Sequence, residues 1–382
     1  MSEKERIKLK SLKLSGYKSF NSSKTPEEIT FRDINVIIGA NGSGKSNLVS
    51  FFEMFDRMIR GYLQEYIGLE GSVDTFLYFG VKNTQEIKAE ISFLNTYYNV
   101  YKFQLTHGKR DNLIYTEELI IHTKDNNSVF SQMDLGAGHK ESVLFIDKNI
   151  DAPNIAEAYS EYEYSIKTFK FLNNPKDSYM RRAGYAENEK ELYGDGSNLA
   201  SYLYALKNTT EYKKYYDRII KRIRMIMPQF ADFSLEPTTI SKDPHISLNW
   251  KSQSNHNYIL GPHQLSDGTL KFIALTTLLL QPPEKLPPVI IIDEPELGLH
   301  PKALGILAGM IKTASQHCQV IVATQSPRLV DEFSLEDIIV AEWDDKKNCS
   351  TFNKLNKEKL NEWLENYSLS ELWEKNVLGG QP

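Results

Sequence analysis

Eight consecutive residues, Gly39-Ala40-Asn41-Gly42-Ser43-Gly44-Lys45-Ser46, place glycines, a lysine and a hydroxyl in the spacing G-x-x-x-x-G-K-S. Glycines let a backbone curl until its N–H groups point at phosphate oxygens. The start of a following helix adds its positive end at the same spot. In this pattern the lysine reaches the β- and γ-phosphates of a nucleoside triphosphate, and the hydroxyl after it binds Mg²⁺. The spacing therefore predicts Gly39, Asn41, Gly42, Ser43, Gly44, Lys45, Ser46 and Asn47 as a phosphate cradle, with Ser46 also on the metal.

A second constellation is Val289-Ile290-Ile291-Ile292-Asp293-Glu294. An apolar strand ending in aspartate sets Asp293 at the strand's C-terminal edge, where the nucleotide's Mg²⁺ lies. Glu294 follows directly, and a carboxylate there can orient or deprotonate an attacking water. Alone, this stretch would equally be an acidic turn after a buried strand; beside the glycine-rich loop the nucleotide reading prevails. The third constellation is Leu265-Ser266-Asp267-Gly268-Thr269, with Ser266 27 residues before Asp293. Serine and glycine at a helix start offer a hydroxyl, a close backbone approach and free N–H groups. An ordinary N-cap reads the same way.

Several elements must position these groups. IKLKSLKLSGYKSF alternates apolar and polar residues, and Glu28–Phe31 and Ile34–Ile38 follow as strands, the last apolar enough to be buried on both faces. From Ser46 to about Tyr66 the period becomes helical, with Leu48, Phe51, Phe52, Phe55 and Met58 on one face. EIKAEISF, YYNVYKFQL, LIYTEELII and ESVLFI predict an antiparallel meander over 86–146. Residues 150–195 show no clear period. Helices are expected at Asn198–Asn208 and Glu211–Met227, and strands at Phe233–Ile240 and His245–Trp250. Then comes an α/β alternation: helix Ser266–Leu280, strand Val289–Ile292, helix Pro301–Ser315, strand Gln319–Ala323, helix Pro327–Glu332 and strand Asp337–Ala341. Two short helices are expected in the tail, around Lys357–Leu364 and Ser368–Lys375.

The 382 residues allow two or three domains, or one large α/β domain with insertions. Hydrophobic residues make up 41% and charged ones 25%, which excludes a disordered chain. The net charge of −5 excludes a general polyanion binder and leaves room for a local basic patch. Cys318 and Cys349 are the only cysteines, too few for a disulfide framework or a CxxC metal pair. No apolar run approaches the roughly 20 residues of a spanning helix, and the first ten residues hold no leader-like core. A cytoplasmic protein without a membrane partner is expected.

The glycine-rich loop, LSDG and IIIDEPELGLHP, in that order and with a long insertion between the first two, resemble an ABC-type ATPase of the RecF/SMC/OLD branch. SGYKSF near the start, GDGSNLASYLYAL at 194–206, ATQSPRLVDEF at 323–333 and ELWEKNVLGGQP in the tail resemble stand-alone, RecF-like AAA-family ATPases of bacterial anti-phage modules. The resemblance implies an α/β head: a mixed central sheet with a P-loop core, an antiparallel β subdomain, and a helical insertion between Walker A and the signature motif. It divides the chain into a first ATPase lobe at 1–150, the insertion at 151–230, a second lobe at 231–350 and a helical tail at 351–382.

It also implies ATP and Mg²⁺ as ligands and a homodimer that sandwiches two ATP molecules, and it leaves open whether such dimers assemble into a higher oligomer. Lys45 and Ser46 of one subunit would hold phosphate and metal, and Ser266 and Gly268 of the other would cap the γ-phosphate. Asp293 would hold Mg²⁺ through water, Glu294 would be the general base, and Leu297–His300 would be the D-loop. Lys18 of SGYKSF matches a position that contacts nucleotide or DNA; a solvated strand lysine is an equal reading. Gln85 is offered as the Q-loop residue.

One departure stands out. Where most such ATPases place a switch histidine, this chain has Thr324-Gln325-Ser326-Pro327, which assigns that place to Gln325. Glutamine can hydrogen-bond phosphate or water but carries no proton charge, so slow hydrolysis is expected. A transporter subunit is disfavoured by LSDGT, where LSGGQ is typical, and by the large β insertion. A catalytically weak ATP-binding scaffold remains the alternative. Lys213, Lys214, Arg218, Lys221, Arg222 and Arg224 face one acid, Asp217, along an amphipathic helix. That is either a solvated face or a DNA-backbone contact, which Arg181-Arg182 would join. Too few residues follow Ala341 for a nuclease domain, so a nuclease or toxin effector would be a separate protein.

Overall fold

The apolar run Ile34–Ile38 becomes an interior strand of a six-stranded sheet in the computed structural model, which describes residues 7–22, 26–94, 98–125, 128–146, 162, 165–171, 178–187, 190–238, 244–255 and 257–381. Across this sheet the strands run Cys349–Lys354, Ile338–Asp344, Ile34–Ile38, Gln319–Ala323, Val289–Asp293 and Ile166–Phe169. All neighbours are parallel except the first pair. Successive side chains point to opposite faces. Val36, Ile38, Ile290 and Ile292 join one buried cluster with the helices Leu199–Asn208, Lys213–Ile226, Asp267–Leu280 and Pro301–Ala314. Ile37, Ile291 and Ile321 join the other cluster, with Phe51, Phe52 and Phe55 of the helix Lys45–Ile59.

That second cluster is closed by an antiparallel sheet ordered Glu28–Thr30, Lys8–Ser15, Glu86–Leu94, Tyr98–Gly108, Asn112–Asp125 and Ser128–Asp134. Buried Gln319 ties the two sheets together. Its Oε1 accepts from Leu9 N at 2.8 Å, and its Nε2 donates to Leu9 O at 2.9 Å and to Arg32 O at 2.7 Å. The expected fold class is thus observed, with its mixed sheet, P-loop core and antiparallel subdomain.

Some elements differ from the expectation. The helix from Ser46 stops at Ile59, because Gly61 turns through φ +76°, and a second helix runs over Leu63–Leu69. ESVLFI does not extend the meander; Val143–Ile146 is one helical turn. Glu141 holds it there, accepting from the amides of Leu63 and Gln64, so the segment caps a helix start instead of a sheet edge. The strand expected at Phe233–Ile240 lies earlier, at Phe230–Ser234; residues 239 and 240 lie outside the described residues. Within 151–230, Ile166–Phe169 is an edge strand of the central sheet, ahead of the two helices. Among the described residues no helix is long and apolar enough to cross a membrane.

Candidate nucleotide site

The P-loop leaves the central strand at Gly39 and re-enters regular structure at Lys45, with Gly44 as the N-cap of the following helix. Gly44 has no alternative there: φ is +103°, and a Cβ would lie 2.1 Å from Ser350 Oγ. Lys45 is buried and donates to its own loop, to Gly39 O at 2.6 Å and Ala40 O at 2.8 Å. Burial pulls its ammonium below the usual lysine range, while Glu294, Asp293 and Glu296 push it back up. Asn41, Gly42 and Ser46 are exposed at the loop, Asn47 is half-buried, and Ser43 is buried with no partner for its hydroxyl oxygen.

Asp293 closes the neighbouring strand but one, so its carboxyl reaches the same C-terminal edge of the sheet. Desolvation raises its pKa from 3.8 to about 6; Lys170 and Lys45 pull it down, and Glu294 and Glu296 push it up. Asp293 Oδ1 is buried and has no hydrogen-bond partner. An orphaned carboxylate oxygen beside the Ser46 helix start is a donor set of hard oxygens, and Mg²⁺ fits it. Among the described residues no group of three or more His, Cys, Asp or Glu forms a separate metal cage.

Glu294 sits at φ +45°, a left-handed conformation that costs a non-glycine residue about 1–3 kcal/mol and persists only when its surroundings fix it. Three bonds do so. Its N–H donates to Ala323 O at 2.8 Å, its carbonyl accepts from Lys271 Nζ at 2.6 Å, and its Oε1 accepts from Gln325 Nε2 at 2.5 Å. Glu296 Oε1 in turn holds the Gln325 amide at 2.8 Å. The structure thus brings Lys45, Asp293, Glu294 and Gln325 together.

Two further lysines belong to this neighbourhood and escaped the sequence reading. Lys271 is buried one turn after Gly268, and burial lowers its pKa. Lys170 follows Phe169, which pairs with Ile292, so the next rung of that register sets Lys170 beside Asp293. Its Nζ donates to Glu53 Oε2 at 2.6 Å. Lys271 sits in the first turn after LSDGT, where a helix-period count places it on the core side; Lys170 carries no local signal, since only strand pairing brings it to Asp293.

Ser266 caps the helix Asp267–Leu280, its Oγ accepting from Thr269 N at 3.1 Å, and it is exposed. Gly268 packs against the expected D-loop: a Cβ would stand 2.0 Å from Gly298 O. Arg181 does not join a basic face. It donates to Pro262 O at 2.6 Å and Leu265 O at 3.1 Å and pairs with Asp267, bracing the signature turn. Lys18 is not a solvated strand lysine. The strand ends at Ser15, and Lys18 lies in a left-handed turn (φ +44°), half-buried, with Nζ donating to Ser50 Oγ of the P-loop helix at 3.0 Å. Gln85 is exposed at the entry to the strand Glu86–Leu94, and its carbonyl accepts from His107 N.

A mostly parallel sheet with a P-loop, a carboxylate-ended strand two places away, a capped signature turn and an antiparallel subdomain has the layout of an ABC-type ATPase head. Residues 34–331 match the family described as "AAA domain, putative AbiEii toxin, Type IV TA system", and the chain belongs to that family. It is 21% identical over 385 residues to the "Retron Vc95 probable ATPase" of Vibrio cholerae serotype O1 biovar El Tor, covering 87% of this chain and 73% of that protein. Among solved structures it is similar to an SMC head bound to the C-winged helix domain of ScpA (TM-score 0.56, 16% identity, 92% of this chain and 99% of the other). It is similar to the same degree (TM-score 0.56, 14% identity, 94% and 99%) to the Pyrococcus furiosus Smc head with an extended coiled coil bound to the C-terminal domain of ScpA. These likenesses show that the chain has the fold of an SMC-type ATPase head.

Proposed function

We propose that this chain binds and slowly hydrolyses ATP, and that two copies close around ATP to control a separate effector in bacterial defence. The observation that carries the reading is the convergence of buried Lys45 with half-buried Asp293, Glu294 and Gln325 at one edge of the sheet. Lys45 and the loop amides take the β- and γ-phosphates. The Ser46 hydroxyl and Asp293 would hold Mg²⁺, which, when bound, neutralises charge between the phosphates. Glu294 takes the proton of the attacking water. Its strained backbone and its bonds to Lys271 and Gln325 fix the direction from which it does so. Gln325 orients and carries no proton, which supports slow turnover and keeps the scaffold reading in play.

Ser266 lies exposed on its capped turn, which suits contact with a second copy's γ-phosphate. The family description names a toxin and a type IV TA system, and the Vibrio cholerae relative is described as the probable ATPase of a retron; both support a defence setting, in which we assign a nuclease or toxin as the separate partner. Lys214, Arg218, Lys221 and Arg222 remain exposed, and we assign DNA, if bound, to that face. Phosphate release from ATP, compared between wild type and Lys45→Ala, tests the proposal: release that requires Lys45 supports it, and equal release, or none from wild type, defeats the ATPase.

A further inference from the structure

The segment 369–381 touches both ends of this site. At its start, the helix Leu369–Glu374 docks on Pro327–Val330, the short helix that follows Gln325. Asp331, at the end of that short helix, accepts from Ser370 N at 2.8 Å and from Ser370 Oγ at 2.6 Å. Leu372 and Trp373 are buried in the same cluster as Leu329 and Val330. Further on, Gly379 and Gly380 turn through φ +81° and +77°, and Gly380 N donates to Glu342 Oε1 at 2.7 Å. A Cβ on Gly380 would stand 3.2 Å from the Cα of Gly39, the first residue of the P-loop, and 2.9 Å from Val340 Cγ1. On Gly379 it would stand 2.4 Å from Glu342 Oε1. The paired glycines are therefore what allows the chain to lie directly on the base of the phosphate loop.

We propose that Ser370 and Gly380 are positioning residues of the nucleotide site, and that 369–381 ties the P-loop to the Gln325 loop so that phosphate binding at one is felt at the other. The inference rests on the ATP-binding reading above. Two rigid elements joined by a packed, hydrogen-bonded segment move together because packed contacts do not stretch. ATP on the P-loop therefore orders the segment, and the segment sets the approach of Gln325 to Glu294.

Hydrogen exchange of the whole chain, with and without ATPγS and Mg²⁺, reads this directly. Protection of peptides spanning 39–47 and 369–381 together supports the tie. Protection of 39–47 alone overturns the tie and leaves nucleotide binding standing; protection of neither overturns both. Two variants separate positioning from mere folding. Gly380→Ala should weaken ATP binding by about tenfold. Asp331→Ala should leave ATP affinity within about twofold while saturating turnover falls several-fold. Equal losses of affinity and turnover in both variants, tracking a shared fall in thermal midpoint, would instead mark the segment as structural only.

Discussion

Glu294 is held by its backbone on one side and by an amide on the other, so its carboxylate has one direction in which to work. Replacing it with glutamine keeps that frame and removes the base. Glu294→Gln should therefore still bind ATP and lose turnover by about 100-fold or more, as phosphate release and equilibrium binding would show side by side. Asp293 carries the opposite tension. Burial lifts its pKa from 3.8 to about 6, so the unfolded chain binds fewer protons than the folded one between those values. The ionised group thus destabilises the metal-free fold above pH 6 and not below pH 4, by about 1–3 kcal/mol after allowance for its partial exposure. Asp293→Asn removes that cost. Its thermal midpoint without Mg²⁺ should exceed that of wild type at pH 8, with the gap closing toward pH 4, while ATP hydrolysis is lost. A midpoint below wild type at pH 8 would refute this account of the carboxylate.

Between elements, the decisive contact is the one that Gly268 permits with Gly298. Both lie on turns, one opening the signature helix and one following Glu294, and no side chain fits between them. Gly268→Ala should force these turns apart without touching the P-loop: ATP affinity should hold within about threefold while turnover falls about tenfold or more. Elements of this kind were legible in the sequence where the signal was local. GANGSGKS, VIIIDE and LSDG each name their own strand–turn or turn–helix context, and the flanking periods placed them correctly. Ile166–Phe169 was not legible, because a four-residue edge strand buried only at its two ends shows no strand period and looks like loop until Val289–Ile292 pairs with it. Cys349–Lys354 was missed for a related reason: CSTFNK is polar enough to read as turn, and only its antiparallel pairing with Ile338–Asp344 makes it a strand. Lys170 depends on the first of these pairings and so was hidden with it. The basic run at 213–224 shows the limit from the other side, since composition could not tell that Arg181 braces Leu265 and Asp267 while Lys214 and Arg218 stay exposed.

For the whole molecule, the question is whether each ATP is read by one copy or by two. Lys45 lies on the loop after the central strand, whereas Ser266 opens a different helix, bonds within its own turn and is exposed. If the γ-phosphate is gripped by Lys45 of one copy and Ser266 of its partner, the two residues can be supplied by different chains. Lys45→Ala and Ser266→Arg should each abolish turnover alone. Mixed in equal amounts, they should regain it, because a mixed pair has one site with both residues intact and one with neither. Random pairing in a two-fold assembly then returns about a quarter of the wild-type rate. A double variant, Lys45→Ala with Ser266→Arg, should rescue nothing and should instead depress wild-type turnover on mixing, since every mixed site lacks one of the two groups. Recovery that is absent from the two single variants, while both still pair with wild type in sedimentation, would place Ser266 outside the partner's ATP site and make each copy a complete ATPase by itself.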